Sequence, residues 1–191
     1  TPIGTQPGGL MVAAIGVRPS SAVITPPASA WTLVRRIDNP TGTPNSLAIY
    51  TRVATVAEAA SHTWGFSTTT GSAGGIAAFS GVDTANPIDV ENGAPTASGL
   101  THATPSVTTT QTRAMLVTAH AYTSSETWTP PAGMTEAVDV ASMAVPNAAG
   151  LALEINCALQ PAAGATGAKA ATVAGNADAG NAHIQALRPD D

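Results

Sequence analysis

Short runs of Val, Ile, Thr and Ala, each interrupted by Pro, Gly, Asn or Ser, make up most of this chain. Apolar residues do not recur at the three- and four-residue spacing of an amphipathic helix over any long window. Short, regularly spaced runs of this kind are typical of β-sandwiches and barrels. The pattern predicts strands at 10–18, 32–37, 46–53, 62–66, 75–80, 106–110, 114–122, 135–141, 151–159, 169–173 and 182–187.

Several sequence elements recur at a nearly constant spacing of 104 positions, which indicates an internal repeat. The matches are Leu10-Met-Val with Ala114-Met-Leu, Thr25-Pro-Pro-Ala with Thr129-Pro-Pro-Ala, Trp31-Thr with Met134-Thr, and Leu47-Ala-Ile with Leu151-Ala-Leu. Because a half with so few large apolar residues would bury only a thin core, we expect the halves to share one core.

We therefore predict an all-β fold, a two-sheet antiparallel β-sandwich with jelly-roll-like connections. It forms a single domain over residues 1–191, built from interleaved half-repeats of about 100 residues at 6–88 and 106–189. The alternative is two tandem immunoglobulin-like sandwiches, joined by a linker at 89–105.

Charge excludes several classes of partner. The chain has 7 Lys and Arg against 12 Asp and Glu, for a net charge of -5. Nucleic-acid binding needs clustered basic residues, and so does an electrostatic membrane surface. The apolar run at 10–17 is far shorter than the roughly 20 residues of a membrane span. We predict no nucleic-acid partner and no membrane insertion.

Catalytic motifs are missing. The sequence has no Gly-x-Ser-x-Gly elbow and no His-Glu-x-x-His pair. The four histidines, at 62, 102, 120 and 183, are far apart and are expected at strand ends, exposed or hydrogen-bonded. The sequence therefore predicts a protein that is not an enzyme, with no catalytic residues.

One oxygen-rich segment, at 83–92, has two interpretations. Asp83, Asn86, Asp89 and Glu91 together can supply ligands for a structural calcium ion, which takes six to eight oxygens. The same residue types also form ordinary turns by bonding their own backbone. We predict no cofactor other than this calcium.

Three aromatic residues are candidates for contact with a ligand or a partner, namely Trp64, Trp128 and Tyr122. Trp64 and Phe66 lie two apart and so share one face of a strand. If these rings are exposed, they can stack on sugars. If they are buried, they belong to the core or to a contact between subunits.

Most of the chain resembles a family of bacterial and bacteriophage β-sandwich modules, found in secreted surface proteins and phage structural proteins. The likeness lies in Gln6-Pro-Gly-Gly-Leu-Met-Val-Ala-Ala14, in Trp31-Thr-Leu-Val-Arg35, in Gly74-Gly-Ile-Ala-Ala-Phe-Ser-Gly-Val-Asp83, and in the segments 47–54, 63–64, 86–89, 104–109, 130–136 and 186–189. The resemblance implies fold and context, and it brings no catalytic residues. Members of the family usually have another strand before the Gln-Pro-Gly-Gly segment, and we expect that strand to be either trimmed here or supplied by another chain.

The resemblance leads us to expect a non-enzymatic structural or assembly module of a phage or phage-like particle, such as a capsid decoration, tail or fibre component. Its partners would be protein subunits of the particle or further copies of itself, and its location a virion or the cell surface. The alternative is a carbohydrate- or cell-wall-binding module of a secreted bacterial protein or adhesin, with a polysaccharide as partner.

Overall fold

The computed structural model of the chain describes residues 1–27 and 30–190, which form an all-β fold of antiparallel sheets without a helix. No helix able to span a membrane occurs among them. Ala28 of the first Thr-Pro-Pro-Ala motif and Asp191 at the end of the predicted domain lie outside the described residues.

The described residues form sixteen strands. The first six are β1 (Leu10–Arg18), β2 (Ile24–Thr25), β3 (Thr32–Asn39), β4 (Asn45–Val53), β5 (Gly65–Phe66) and β6 (Gly71–Phe79). The others are β7 (Ile88–Gly99), β8 (Thr101–Ala103), β9 (Thr108–Thr109), β10 (Ala114–Tyr122), β11 (Trp128–Thr129), β12 (Thr135–Ala141), β13 (Ala152–Gln160), β14 (Gly164–Ala165), β15 (Ala170–Val173) and β16 (Asp178–Leu187).

Two large sheets contain most of these strands. The first sheet has the order β3-β4-β1-β6, and the second has the order β12-β13-β10-β16-β7. Three small sheets complete the fold: β2 with β5, β9 with β14, and β11-β15-β8.

The segment at 88–99 differs from both sequence interpretations of it. It was expected as part of an acidic loop or a linker, and it forms β7, which pairs along β16 at the edge of the second sheet. Its Asp, Asn, Gly and Pro residues are poor strand formers. Pairing with a buried neighbour overrides this local preference. By contrast, β1, β10 and β12 have the predicted bounds.

Side chains of both large sheets share one buried apolar cluster. Along β1, Leu10, Val12 and Ala14 belong to this cluster, whereas Met11 and Ala13 belong to a second cluster on the opposite face. This is the alternation of a strand buried on both faces. The second sheet contributes to the shared cluster through Val117, Ala119, Ala121, Leu153, Ile155 and Leu187.

The two sheets repeat the same hairpins, but not at the constant spacing predicted. Ala14 pairs with Ile49, and Ala119 pairs with Ile155, all four in the shared cluster. Ala14 and Ala119 are 105 positions apart. The predicted spacing of 104 aligns Ala14 with Thr118, which points to the other face, because a shift of one residue reverses every side chain. The matched pairs lie 105 positions apart in this strand, and the half-repeats stay a prediction.

Buried asparagines join the two sheets. Asn39 of the first sheet donates from Nδ2 to the carbonyl of Gly180 at 2.7 Å and to that of Thr96 at 2.9 Å. Asn181 of the second sheet donates to Asn45 Oδ1 at 2.6 Å. All three asparagines are at most 1% exposed. These bonds fix the position of β16 relative to β3 and β4.

Candidate assembly edge and aromatic cleft

Three of the four edge strands of the large sheets carry features that prevent pairing with another chain. β3 carries Arg35 and Arg36 and has a bulge, and β12 carries Glu136 and Asp139 and has a bulge. β7 contains charges, a proline and two irregularities in its pairing. Charges, proline and bulges are the devices by which edge strands avoid intermolecular pairing.

The fourth edge strand, β6, has none of these features within the described chain. Its sequence, Gly-Ser-Ala-Gly-Gly-Ile-Ala-Ala-Phe, contains no charge and no proline. Its pairing with β1 runs without a break from Gly71 opposite Arg18 to Phe79 opposite Leu10. Its other side has no strand beside it among the described residues. It is the least protected edge of the fold.

The corresponding position in the second sheet is covered. β6 and β16 hold equivalent places, because each pairs with the strand that also pairs with β4 or β13. β16 carries β7 on its far side, whereas β6 has no counterpart of β7 there. The first sheet is thus one strand short of the second at this edge.

Close packing explains why β6 is built from small residues. A Cβ atom at Gly75 would lie 2.5 Å from Val138 Cγ1 of β12, so only glycine lets the two sheets approach here. A Cβ atom at Gly74 would lie 2.8 Å from Ile15 Cδ1 on the opposite face. The small residues therefore have a packing role, and they also leave the outer face of β6 shallow.

An aromatic cleft of about 340 Å³ lies over that shallow face. Trp64 and Phe66, both half-buried, form part of its lining. The strand predicted at 62–66 is limited to β5, so Trp64 lies just before it. Ser72, Gly74 and Ile76 of β6 belong to the lining as well. The full lining is Ile15, His62, Thr63, Trp64, Phe66, Ser72, Ala73, Gly74, Gly75 and Ile76.

Trp64 is supported from behind by other rings. Its ring centre is 5.1 Å from that of Trp31 and 6.1 Å from that of Tyr50. The indole N–H of Trp64 is buried and has no hydrogen-bond partner among the described residues. Such a donor lacks the partner that buried polar groups normally have.

The ring of His62 lies beside that of Trp64, with the two ring centres 6.3 Å apart. Trp31 Nε1 donates to His62 Nδ1 at 3.4 Å, so that nitrogen accepts. Burial lowers the pKa of His62, outweighing the Glu58 carboxylate 3.3 Å from its other nitrogen. No Lys, Arg, Asp or Glu contributes to the lining of the cleft.

Tyr122 and Trp128, the other two aromatic candidates, lie in the interior. Tyr122 is 0% exposed and Trp128 is 3% exposed, and their ring centres are 5.1 Å apart. They pack with Ala152, Ala171 and Val173 on the outer face of the second sheet, beneath the small sheet β11-β15-β8. Of the three aromatic candidates, only Trp64 reaches a surface cleft.

Histidines form part of the same interior, and sequence reasoning missed this. His120, in the middle of β10, is fully buried, with Nδ1 3.1 Å from Glu154 Oε1. His102 contacts Thr96 Oγ1 at 2.6 Å, and burial together with the charge of His120 lowers its pKa to about 4. Alternation along β10 is the one signal that would have placed His120 on a covered face.

The predicted calcium ligands have separate partners. Asp83 Oδ1 accepts from the backbone N–H groups of Ala85 and Asn86, which is turn chemistry. Asp89 accepts from Thr110 and lies 3.7 Å from Arg188. No group of three or more His, Cys, Asp or Glu side chains suited to a metal occurs among the described residues. The calcium site stays a prediction.

Glu91 links the two large sheets. It accepts from Arg35 of β3 at 2.7 and 2.8 Å, and its Oε2 lies 3.0 Å from His183 Nε2 of β16. The contacts with His183 and Arg35 lower the pKa of Glu91 to about 2. Glu91 therefore has a structural role in the edge where β3 meets β7.

No family model, curated protein or solved structure matches this chain. The function must be inferred from the unprotected edge of β6 and from the aromatic cleft beside it.

Proposed function

We propose that this chain is a non-enzymatic structural module of a phage or phage-like particle, located on a virion or a cell surface, that assembles by strand pairing at β6. The observation that carries the proposal is the uncharged edge of β6, which has no strand beside it among the described residues, at the place where the second sheet has a further strand. Strand addition at such an edge is a common mode of protein association. The sequence resemblance to phage and surface modules supports the particle context.

The proposal includes a jelly-roll-like, two-sheet sandwich derived from two half-repeats. The hairpin order β3-β4-β1-β6 recurs as β12-β13-β10-β16. The edge strands β3 and β12, which begin the two orders, have a bulge at the same place. It lies between Leu33 and Arg35 in β3 and between Glu136 and Val138 in β12. A shared bulge supports common descent of the halves, because bulges tend to be kept within families.

The partner in this assembly is a second copy of the chain. Two β6 strands related by a twofold axis pair antiparallel, and pairing centred on Gly75 brings Ser72 of one copy opposite Ala78 of the other. Neither strand carries a charge, so the two edges do not repel each other. The product is a closed, isologous dimer with one continuous sheet across both copies.

A charge pair placed in this register tests the proposal. In Ser72→Lys/Ala78→Lys, lysines face lysines across the interface twice, and we expect a monomer by light scattering after size exclusion. In Ser72→Glu/Ala78→Lys, opposite charges face each other at the same positions, and we expect the dimer of the unmodified chain to return.

The control is Thr135→Lys on β12, an exposed position on an edge that is already protected. It should leave the mass unchanged. A monomeric unmodified chain at all concentrations, or equal masses for the two double variants, would overturn pairing through β6.

A second candidate function, carbohydrate or cell-wall binding, is favoured by the aromatic cleft with Trp64 and Phe66 in its lining. It needs no association between copies, so the two functions are tested by different measurements.

A further inference from the structure

We infer that the aromatic cleft binds a neutral pyranose saccharide, with Trp64 and Phe66 as its stacking surface. This inference rests on the second candidate function, carbohydrate binding, and narrows it to one class of ligand and one site.

The size and lining of the cleft suit a small amphipathic ligand. Its volume of about 340 Å³ lies at the lower end of the range of roughly 300–1,000 Å³ for ligand clefts. Aromatic rings offer a flat apolar surface that matches the C–H face of a pyranose. Thr63 and Ser72 add side chains with hydroxyl groups to the lining.

The absence of charge in the lining indicates a neutral ligand. The lining contains no acidic or basic side chain, and His62 accepts a hydrogen bond at Nδ1, as a neutral ring does. An anionic sugar would lose its hydration without gaining a cationic partner, which is costly in a partly buried site. A neutral sugar loses less and gains the stacking contact.

The test is isothermal titration calorimetry of the full chain with four probes. Cellotetraose, maltotetraose and chitotetraose are neutral, and tetragalacturonate is anionic. We expect binding of at least one neutral probe and none of the anionic one. Binding of tetragalacturonate alone would overturn this inference and keep carbohydrate binding. Binding of no probe would overturn both.

Variants locate the site. Trp64→Ala should weaken binding of the neutral probe about tenfold or more, and Trp64→Phe, which keeps an aromatic face, should weaken it less. Leu33→Ala is the matched control, an exposed apolar residue on β3 outside the cleft lining. It should bind as the unmodified chain does. Equal affinities for Trp64→Ala and Leu33→Ala would overturn the site.

Ser72→Phe covers the case in which Trp64→Ala does not fold. It fills the cleft while leaving Trp64 and Phe66 in place, and it should abolish binding without loss of the folded state in a thermal melt. A nine-residue peptide with the sequence of β6 serves as a further probe. Binding of this peptide that depends on Trp64, with no saccharide bound, would identify the cleft as a peptide site and overturn the inference. Light scattering on each variant separates loss of sugar binding from loss of association.

Discussion

The two large sheets share one hairpin order and differ in what covers them. On the outer face of the second sheet, Tyr122, Trp128 and His120 lie buried beneath the small sheet β11-β15-β8, and β7 covers the edge of β16. On the first sheet, Trp64 lies in an open cleft and the edge of β6 is free. Both outer faces hold a buried apolar cluster. The comparison teaches that the strands added outside the shared hairpin order, β7 at the edge and β11-β15-β8 over the face, decide how much of each sheet stays accessible.

The largest expected effect contrasts the sealed and the open aromatic residues. Tyr122→Ala removes a fully buried ring and should lower the free energy of unfolding by about 3–5 kcal/mol, as large-to-small core changes do. Trp64→Ala removes a half-buried ring and should cost about 1–2 kcal/mol. Urea denaturation of both variants measures the difference. Equal losses would mean that the two outer faces are equally sealed.

The next effect is a pH dependence of the free energy of unfolding, caused by His102 in β8. Because burial and the nearby His120 lower the pKa of His102 from 6.5 to about 4, the unfolded chain takes up a proton first as the pH falls. The free energy of unfolding is therefore unaffected by His102 above pH 6.5. It falls as the pH drops from 6.5 to 4, by at most about 3 kcal/mol, because protonation favours the unfolded chain.

Urea denaturation at pH 7, 5.5 and 4 measures this loss. His102→Gln should lose less stability over the same interval, while the buried His183, whose pKa burial also lowers, keeps part of the dependence. An identical pH profile for the variant would show that His102 is not responsible.

A smaller effect belongs to the edge where β3 meets β7. Glu91→Gln removes the charge that Arg35 and His183 face, and because the pair is partly exposed we expect a loss of about 1–2 kcal/mol. The contribution of Glu91 is present above pH 4.5 and is lost as the pH falls towards its folded-state pKa of about 2.

Asp38→Asn is the control for Glu91→Gln, because Asp38 pairs with Arg36 at an exposed position. It should cost about 0.5 kcal/mol or less, measured by the same denaturation. If Asp38→Asn lowers the free energy of unfolding as much as Glu91→Gln does, the contacts of Glu91 between the sheets add no more stability than an exposed ion pair.

The smallest effect concerns calcium. A bound ion would raise the melting temperature with its concentration. Since Asp83, Asp89 and Glu91 each have partners of their own, we expect no such rise. Thermal melts with calcium chloride and with chelator measure it, and a rise that Asp89→Asn removes would establish the predicted site.

Local sequence patterns predicted the strands whose residues follow simple alternation, and failed where distant partners decide. β1 and β10 are apolar runs ended by breakers, so their bounds could be predicted. β7 looks like a loop in sequence because it is rich in Asp, Asn, Gly and Pro. Its place in the sheet depends on contacts such as those of Glu91 with Arg35 and His183, which are far from it in the chain.

The candidate site shows the same limit. The pairing of Trp64 with Phe66 on one face was readable from their spacing. The burial of Tyr122 and Trp128 depends on β15, more than 40 positions away, and no local pattern encodes it. The free edge of β6 becomes visible only when its sheet is compared with the other one.

The buried asparagines have a mechanical consequence. The bonds of Asn39 and Asn181 cross from one sheet to the other. A force that shears the sheets past each other must break these bonds together, before the small apolar side chains between them begin to yield. A core rich in alanine can in this way resist load through a few well-placed amides.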